Sequence, residues 1–195
     1  MPSAKCIATL LALSALPAGA EGTSALKQAQ LSARLFETGM AQGDPMLVAT
    51  AARIRQQTHL RDDLPFSWLA MLDLAESLAK GDEEMEQVIE DIRADANRGV
   101  ASGPIYHLAA LAAGASETRP PAAYRGGEYA EAYVEAATGN DLNLTVLDAR
   151  GNVICTDRHP SPIAYCGWTP ATDGDFTLVI ENAGSTPADY ALMTN

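Results

Sequence analysis

The sequence has few basic residues: 13 Lys and Arg stand against 25 Asp and Glu in 195 residues, a formal net charge of −12. Nucleic acids and anionic membrane surfaces are bound by clustered lysines and arginines, so this balance argues against both kinds of partner. Aromatic residues are also scarce, at 6%, which counts against a lectin-like stacking surface. The apolar content of 47% is normal for a globular protein and argues against general disorder.

The sequence also lacks the short motifs of common enzyme classes. It contains no His-Glu-x-x-His motif, no Gly-x-Ser-x-Gly motif and no glycine-rich phosphate loop. Only the segment 157–161, which reads Asp-Arg-His-Pro-Ser around His159, has residue types suited to acid–base or nucleophilic chemistry. A triad is recognised by its geometry, so an ordinary surface loop is the competing interpretation. A small periplasmic or secreted hydrolase that uses the His159 loop is the alternative function.

Residues 1–20 have the pattern of an export signal. Lys5 supplies a positive charge, residues 6–16 are apolar, Pro17 ends this stretch, and residues 18–20 read Ala-Gly-Ala, a small-x-small cleavage site. The apolar stretch is shorter than the roughly 20 residues that a transmembrane helix needs, so no membrane span is predicted. We expect cleavage after Ala20 and a periplasmic or secreted mature chain.

Cysteine is the next scarce residue, with three in the chain. Removal of the predicted signal also removes Cys6 and leaves Cys155 and Cys166. Two cysteines in an exported protein favour a disulfide between them. A metal pair or a reactive thiol is the alternative, although His159 is the one further candidate ligand nearby and a structural zinc site needs four.

Residues 21–114 are predicted to form an α-helical domain, because apolar residues recur there at three- and four-residue steps. The pairs Gly43-Asp44 and Gly81-Asp82, 38 positions apart, separate successive helices. A partial third unit is predicted to open at Gly103-Pro104 as a helix that continues through Ala113. Over residues 24–115 the units resemble tetratricopeptide or Sel1 helical hairpins, which implies a groove for a peptide or partner protein. A small helical bundle explains the same residues.

A change of periodicity marks the second half. Residues 115–123, which include Pro120 and Pro121, are predicted to be an extended linker. From residue 124 onward, short segments such as 142–146 and 176–181 alternate between apolar and polar residues, and turn signals separate them. The predicted fold class is therefore α+β with two domains: helical hairpins, then an antiparallel β-sandwich over residues 124–195.

This second half resembles the bacterial pre-peptidase C-terminal (PPC) domain. Members commonly read Asp-x-Asp-Leu, then a strand that ends in Asp, then x-x-Gly-Asn, and residues 140–153 follow that order. Residues 174–182 match the family's Gly-x-Tyr-x-Leu-x-Val-x-Asn strand, and Tyr190-Ala191-Leu192 matches its closing Tyr-x-Leu. The resemblance implies a secreted, jelly-roll-like sandwich that acts as an accessory module, and some relatives bind calcium or extracellular polymers.

Four oxygen-bearing side chains are the best candidates for a calcium site: Asp141, Asn143, Asp148 and Asp157. Calcium takes six to eight oxygen ligands, and neighbouring turns could supply carbonyls. The spacing does not follow an EF-hand loop, and Asp residues in turns commonly accept hydrogen bonds from backbone N–H groups. Calcium is the one candidate cofactor, and turn stabilisation is the competing interpretation.

The pairing of helical hairpins with an accessory sandwich, together with the lack of a catalytic motif, predicts an exported, non-catalytic binding protein of the bacterial cell envelope. Its partner is expected to be a protein or peptide held by the helical half. Neither a catalytic residue nor a cofactor-binding residue is predicted outside the His159 loop and the calcium candidates.

Overall fold

The computed structural model describes residues 23–61, 63–95 and 104–195, so the predicted export signal lies outside the described residues. The helices of the described part are α1 (Ala25–Gln42), α2 (Pro45–Gln57), α3 (Trp68–Leu78) and α4 (Glu83–Ala94). No helix in these three ranges has the length and apolar character needed to cross a membrane.

Two Gly-Asp turns join the helices into hairpins, as predicted. Gly43 follows α1 with a φ of 65°, and Gly81 precedes α4 with a φ of 86°. Glycine suits both positions because it has no Cβ to clash in the left-handed region. The carboxylates of Asp44 and Asp82 accept hydrogen bonds from backbone N–H groups in the first turns of α2 and α4, which satisfies donors that have no partner within the helix.

Nine described strands form two antiparallel sheets, and this confirms the α+β fold class. The strands are β1 (Ile105–Leu111), β2 (Ser116–Thr118), β3 (Ala122–Tyr124), β4 (Ala130–Ala136), β5 (Leu142–Asp148), β6 (Val153–Asp157), β7 (Ile163–Trp168), β8 (Gly174–Asn182) and β9 (Ala188–Thr194). The inner sheet has the order β1-β9-β4-β7. The outer sheet has the order β2-β8-β5-β6, with β3 also paired to β8.

The predicted third helical unit is wrong: this part of the chain contains strand β1. Its seven residues pair with β9 over their whole length, from Ile105 opposite Thr194 to Leu111 opposite Ala188. A short apolar run fits a helix and a buried strand equally well. Pairing with a strand about 80 positions later in the chain decides the outcome, and local periodicity carries no information about that pairing.

The structure also corrects the predicted linker, because most of residues 115–123 belong to the outer sheet. The strands β2 and β3 both pair with β8, and Pro120 and Pro121 lie between them. Proline has no N–H to donate to a ladder, so it interrupts a strand at the edge of a sheet. The adjacent prolines therefore mark a break within one edge of the sandwich.

The helices cover the face of the inner sheet that points away from the outer sheet. Buried side chains of all four helices form one apolar cluster with Tyr133, Ile163, Ala191 and Met193 of the inner sheet. A second cluster fills the space between the two sheets. All seven residues of β4 are therefore buried, including Glu131 and Glu135, although their alternation with alanine and valine is typical of a strand with one solvated face.

The two sheets are joined by a disulfide at one side of the sandwich and by side-chain hydrogen bonds at the other. On one side Cys155 of β6 and Cys166 of β7 form the predicted disulfide, which joins the outer sheet to the inner sheet. On the other side the hydroxyl of Tyr190 in the inner sheet donates to Glu117 of the outer sheet at 2.7 Å. Arg119 also donates to Glu117, at 2.6 Å. Arg119 and Tyr190, which donate to the Glu117 carboxylate, hold the pKa of this group below its usual range.

Removal of the disulfide is expected to destabilise the sandwich. The two cysteines are 11 positions apart, and a crosslink of that length restricts the unfolded chain by about 2–3 kcal/mol in the loop-entropy model. Urea unfolding of the oxidised protein and of the double variant Cys155→Ala/Cys166→Ala measures the difference. Equal free energies of unfolding would contradict the expectation.

Candidate functional site: a cleft beside an open edge strand

The four calcium candidates do not lie together. Asp141 precedes β5 and Asp148 ends it, so these two residues are separated by the length of a seven-residue strand, roughly 23 Å. Among the residues that the structure describes, no group of three or more His, Cys, Asp or Glu side chains could hold a metal ion. The predicted ligand set is therefore divided between opposite ends of the sandwich.

The candidate side chains take part in local hydrogen bonds instead. Asp148 accepts from the backbone N–H groups of Arg150 and Asn152, each at 2.8 Å. The side-chain amide and backbone N–H of Asn152 hold the pKa of the Asp148 carboxyl below its usual range. Asn143 donates to Glu181 at 3.1 Å, and Asp141 accepts weakly from the Ser161 backbone at 3.4 Å. This is the behaviour of turn and strand-pairing residues.

The side chains of the His159 loop are not joined to one another by hydrogen bonds as those of a catalytic triad are. Asp157 accepts from the backbone N–H of His159 at 3.2 Å, and the hydrogen bond does not involve the imidazole. The hydroxyl of Ser161 donates to Glu37 at 3.2 Å. The exposed ring of His159 makes no hydrogen bond with any residue in the described ranges. The described hydrogen bonds therefore join Ser161 to Glu37 and do not join either side chain to the imidazole of His159.

A buried ion pair joins the helical half to the inner sheet. Arg55 of α2 donates to Glu135 of β4 at 2.5 Å, and the two side chains are 2% and 0% exposed. Burial lowers the pKa of Arg55, but Glu135 and Tyr133 together raise it by more, so the pKa lies above its usual value overall. The same carboxylate oxygen also accepts from the backbone N–H of Phe66 at 3.5 Å. The pair thus joins α2 to the inner sheet, and the backbone of Phe66 in the loop between α2 and α3 lies beside the same carboxylate.

The loop held in this way forms one wall of a cleft of about 520 Å³. The α2–α3 loop contributes Asp63, Leu64 and Pro65, and strand β1 contributes Leu108 and Ala109. The remaining lining residues come from the end of β4 and from β9: Ala137, Asp189 and Tyr190. Leu64 and Phe66 are buried in the helical core, and the ring of Phe66 packs edge-on against Phe36 at 5.7 Å. These contacts hold the loop that forms this wall.

The cleft has apolar walls and two carboxylates, which differ in their partners. Asp63 accepts two hydrogen bonds from Arg61, at 2.8 and 2.5 Å, and the hydrogen bonds from this guanidinium hold the pKa of Asp63 below its usual range. Asp189 is exposed and forms neither a hydrogen bond through its carboxylate nor an ion pair with any described residue. The cleft therefore contains one carboxylate that is already neutralised and one that is free.

Strand β1 borders the cleft and has an open edge. Of the described strands it pairs with β9 alone, and its sequence, Ile-Tyr-His-Leu-Ala-Ala-Leu, contains no Lys, Arg, Asp, Glu or Pro. Ile105 is 72% exposed and Leu108 is 51% exposed. Proteins commonly protect edge strands with charges, proline, bulges or short length, and β1 has none of these features. Among the described residues, no strand pairs with the outer edge of β1.

The edge strand β6, at the opposite side of the sandwich, differs from β1 because it has features that disfavour pairing with a further strand. Its pairing with β5 is interrupted by a register shift between Val146 and Leu147, it is tied to β7 by the disulfide, and it ends in Asp157. Sequence reasoning missed the β1 site because the segment was assigned to a helix. The available signal was an uncharged apolar run between Pro104 and Gly114, which also fits a strand.

No family model and no curated protein matches this chain. Solved structures with similarity to it include the pre-peptidase C-terminal domain of a collagenase from Bacillus anthracis, with 12% identity and a TM-score of 0.38 over 51% of this chain and 99% of that one. Another is PliG of Aeromonas hydrophila, a periplasmic inhibitor of g-type lysozyme, with 8% identity and a TM-score of 0.37 over 48% and 85%. The two antiparallel sheets have the β-sandwich architecture that the sequence predicts.

Loss of one partner of the buried ion pair is expected to destabilise the whole protein. Arg55→Met leaves the Glu135 carboxylate buried without its cation, which costs about 3–5 kcal/mol. The double variant Arg55→Met/Glu135→Leu removes both charges and should regain most of that loss. Urea unfolding followed by circular dichroism measures these free energies.

Arg53→Met is the matched control on the same helix, because Arg53 pairs with Asp95 at the surface and such pairs contribute about 0–1 kcal/mol. Equal effects of the Arg53 and Arg55 substitutions would contradict the role assigned to the buried pair.

Proposed function

We propose that this chain is an exported, non-catalytic binding protein of the bacterial cell envelope, and that it captures an extended segment of a partner protein along strand β1. The observation that carries the proposal is the edge of β1 beside the cleft, which contains no Lys, Arg, Asp or Glu and which no described strand pairs with. In strand addition, main-chain hydrogen bonds supply affinity and pockets for alternate side chains supply specificity. The β1 edge and the cleft provide these two elements side by side.

The surroundings of β1 are suited to binding and not to a reaction. The residues that line the cleft include no serine, cysteine, lysine or histidine, so they provide neither a nucleophile–base pair nor an imidazole for general acid–base chemistry. The strand is backed along its full length by β9, and the loop that forms the cleft wall is held by the burial of Leu64 and Phe66 in the helical core. A preformed site of this kind loses little conformational entropy when an extended ligand binds.

Two features support the proposal that the protein is exported. Residues 1–20 have the pattern of an export signal, and the disulfide between Cys155 and Cys166 is of a kind that persists in the periplasm or outside the cell. The sequence-based expectation placed the partner on the helical half alone. The proposal places it at the junction, because the helical half contributes only the α2–α3 loop to the cleft.

The test is a selection of linear peptides from a random display library against the purified protein, followed by affinity measurements on the enriched peptides by fluorescence anisotropy. Leu108→Lys places a charge on the exposed face of β1 and is expected to weaken binding by about tenfold or more, since it puts a charge where an apolar contact forms. Leu31→Lys is the matched control, because Leu31 on α1 is 52% exposed and Leu108 is 51% exposed.

A second measurement separates strand pairing from other modes of binding. N-methylation of the peptide at alternate residues removes the N–H groups that would face β1, and it should abolish binding in one alternating register and not in the other. Equal affinity of the wild type and Leu108→Lys, or equal effects of methylation in both registers, would contradict the proposal. Failure of the selection to enrich any peptide would also contradict it.

A further inference from the structure

We infer that the partner segment carries a lysine or arginine whose side chain lies in the cleft and pairs with Asp189. This inference rests on the proposed function and names the chemistry that the same site selects. Three observations support a basic residue at this site: the unpaired carboxylate of Asp189, its position in the sheet register, and the apolar walls of the cleft.

The register of β1 and β9 places Asp189 where a side chain from an added strand can reach it. Asp189 lies directly opposite Ala110, and residues directly opposite one another in an antiparallel pair point to the same face of the sheet. A strand added beyond β1 lies two strand spacings from β9, roughly 10 Å. Ala110 has only a methyl group, so a long side chain from that strand can cross over it toward the carboxylate.

The lining of the cleft suits the stem of a basic side chain as well as its charged end. Leu64, Pro65 and Leu108 form apolar walls, and the methylene groups of lysine or arginine pack along such surfaces while the charged group stays at the polar end. Asp63 does not compete for this role because Arg61 already holds its carboxylate. Asp189 is therefore the carboxylate of the cleft that is free to bind a cation.

The negative charge of the whole chain also favours a basic partner segment. The formal net charge is −12, and a surface potential of one sign speeds the encounter with segments of opposite sign. An acidic or neutral segment would gain no such attraction and would leave Asp189 without a partner. The site is thus expected to discriminate among extended segments by the residue opposite Ala110.

The experiment uses three acetylated nonapeptides in which threonine and valine alternate and the central residue is lysine, glutamine or glutamate. Affinity for the purified protein is measured by isothermal titration calorimetry at low and at high salt. The lysine peptide is expected to bind about three- to tenfold more tightly than the glutamine peptide at low salt, which is the range of a partly exposed ion pair. The glutamate peptide should bind most weakly, and the differences should shrink at high salt.

Asp189→Asn is expected to remove the preference for lysine, so that the lysine and glutamine peptides bind this variant with equal affinity. Asp175→Asn changes the net charge by the same amount at an exposed position on β8, and it should keep the preference. Equal binding of the lysine and glutamine peptides to the wild type, or a preference that persists in Asp189→Asn, would overturn the inference.

The outcomes separate this inference from the proposed function. Equal binding of all three peptides, weakened by Leu108→Lys, would overturn the basic preference and leave strand addition in place. Binding of none of them would count against both. Sedimentation of the protein as a dimer that Leu108→Lys dissociates would show that a second copy occupies β1, and this result would overturn the assignment of the edge to a basic partner segment.

Discussion

The buried ion pair between Arg55 and Glu135 is the interaction on which the rest of the structure depends. Two charges without access to water are tolerated only when they are paired, so the contact between Arg55 and Glu135 restricts where α2 can lie on the inner sheet. The carboxylate also accepts a long hydrogen bond from the backbone of Phe66, at 3.5 Å, and Leu64 and Phe66 of the same loop are buried in the helical core. The wall of the cleft therefore lies where α2 and the loop that follows it pack against the end of β4 that contains Glu135.

Local features of the fold could be predicted from the sequence, and features that depend on distant partners could not. Gly43 and Asp44 predicted the end of α1 and the cap of α2, because capping involves only neighbouring residues. The disulfide followed from composition and the predicted export. By contrast, Glu135 alternates with apolar residues as a solvated strand residue would, and its partner Arg55 is 80 positions away. Strand β1 was assigned to a helix for the same reason, since its pairing with β9 is entirely non-local.

The candidate site also combines features that residue types alone suggest with features that depend on the arrangement of distant strands. The four proposed calcium ligands were chosen by residue type, and the structure uses Asp148 and Asp157 for local backbone hydrogen bonds. The cleft that the structure forms is lined largely by alanine, leucine and proline, which carry no chemical signature in a sequence. Its distinguishing features are an edge strand without protecting charges and a carboxylate without a partner, and both become visible only when the order of the strands is known.

Hydrogen exchange at the backbone amides of β1 measures directly whether an extended peptide pairs with this strand. In the free protein, the amides between Ile105 and Leu111 that point away from β9 should exchange rapidly, because the described strands offer them no acceptor. Addition of a selected extended peptide should protect these amides and leave those of the opposite edge strand, β6, unchanged. Equal exchange of the β1 amides with and without bound peptide would contradict the account.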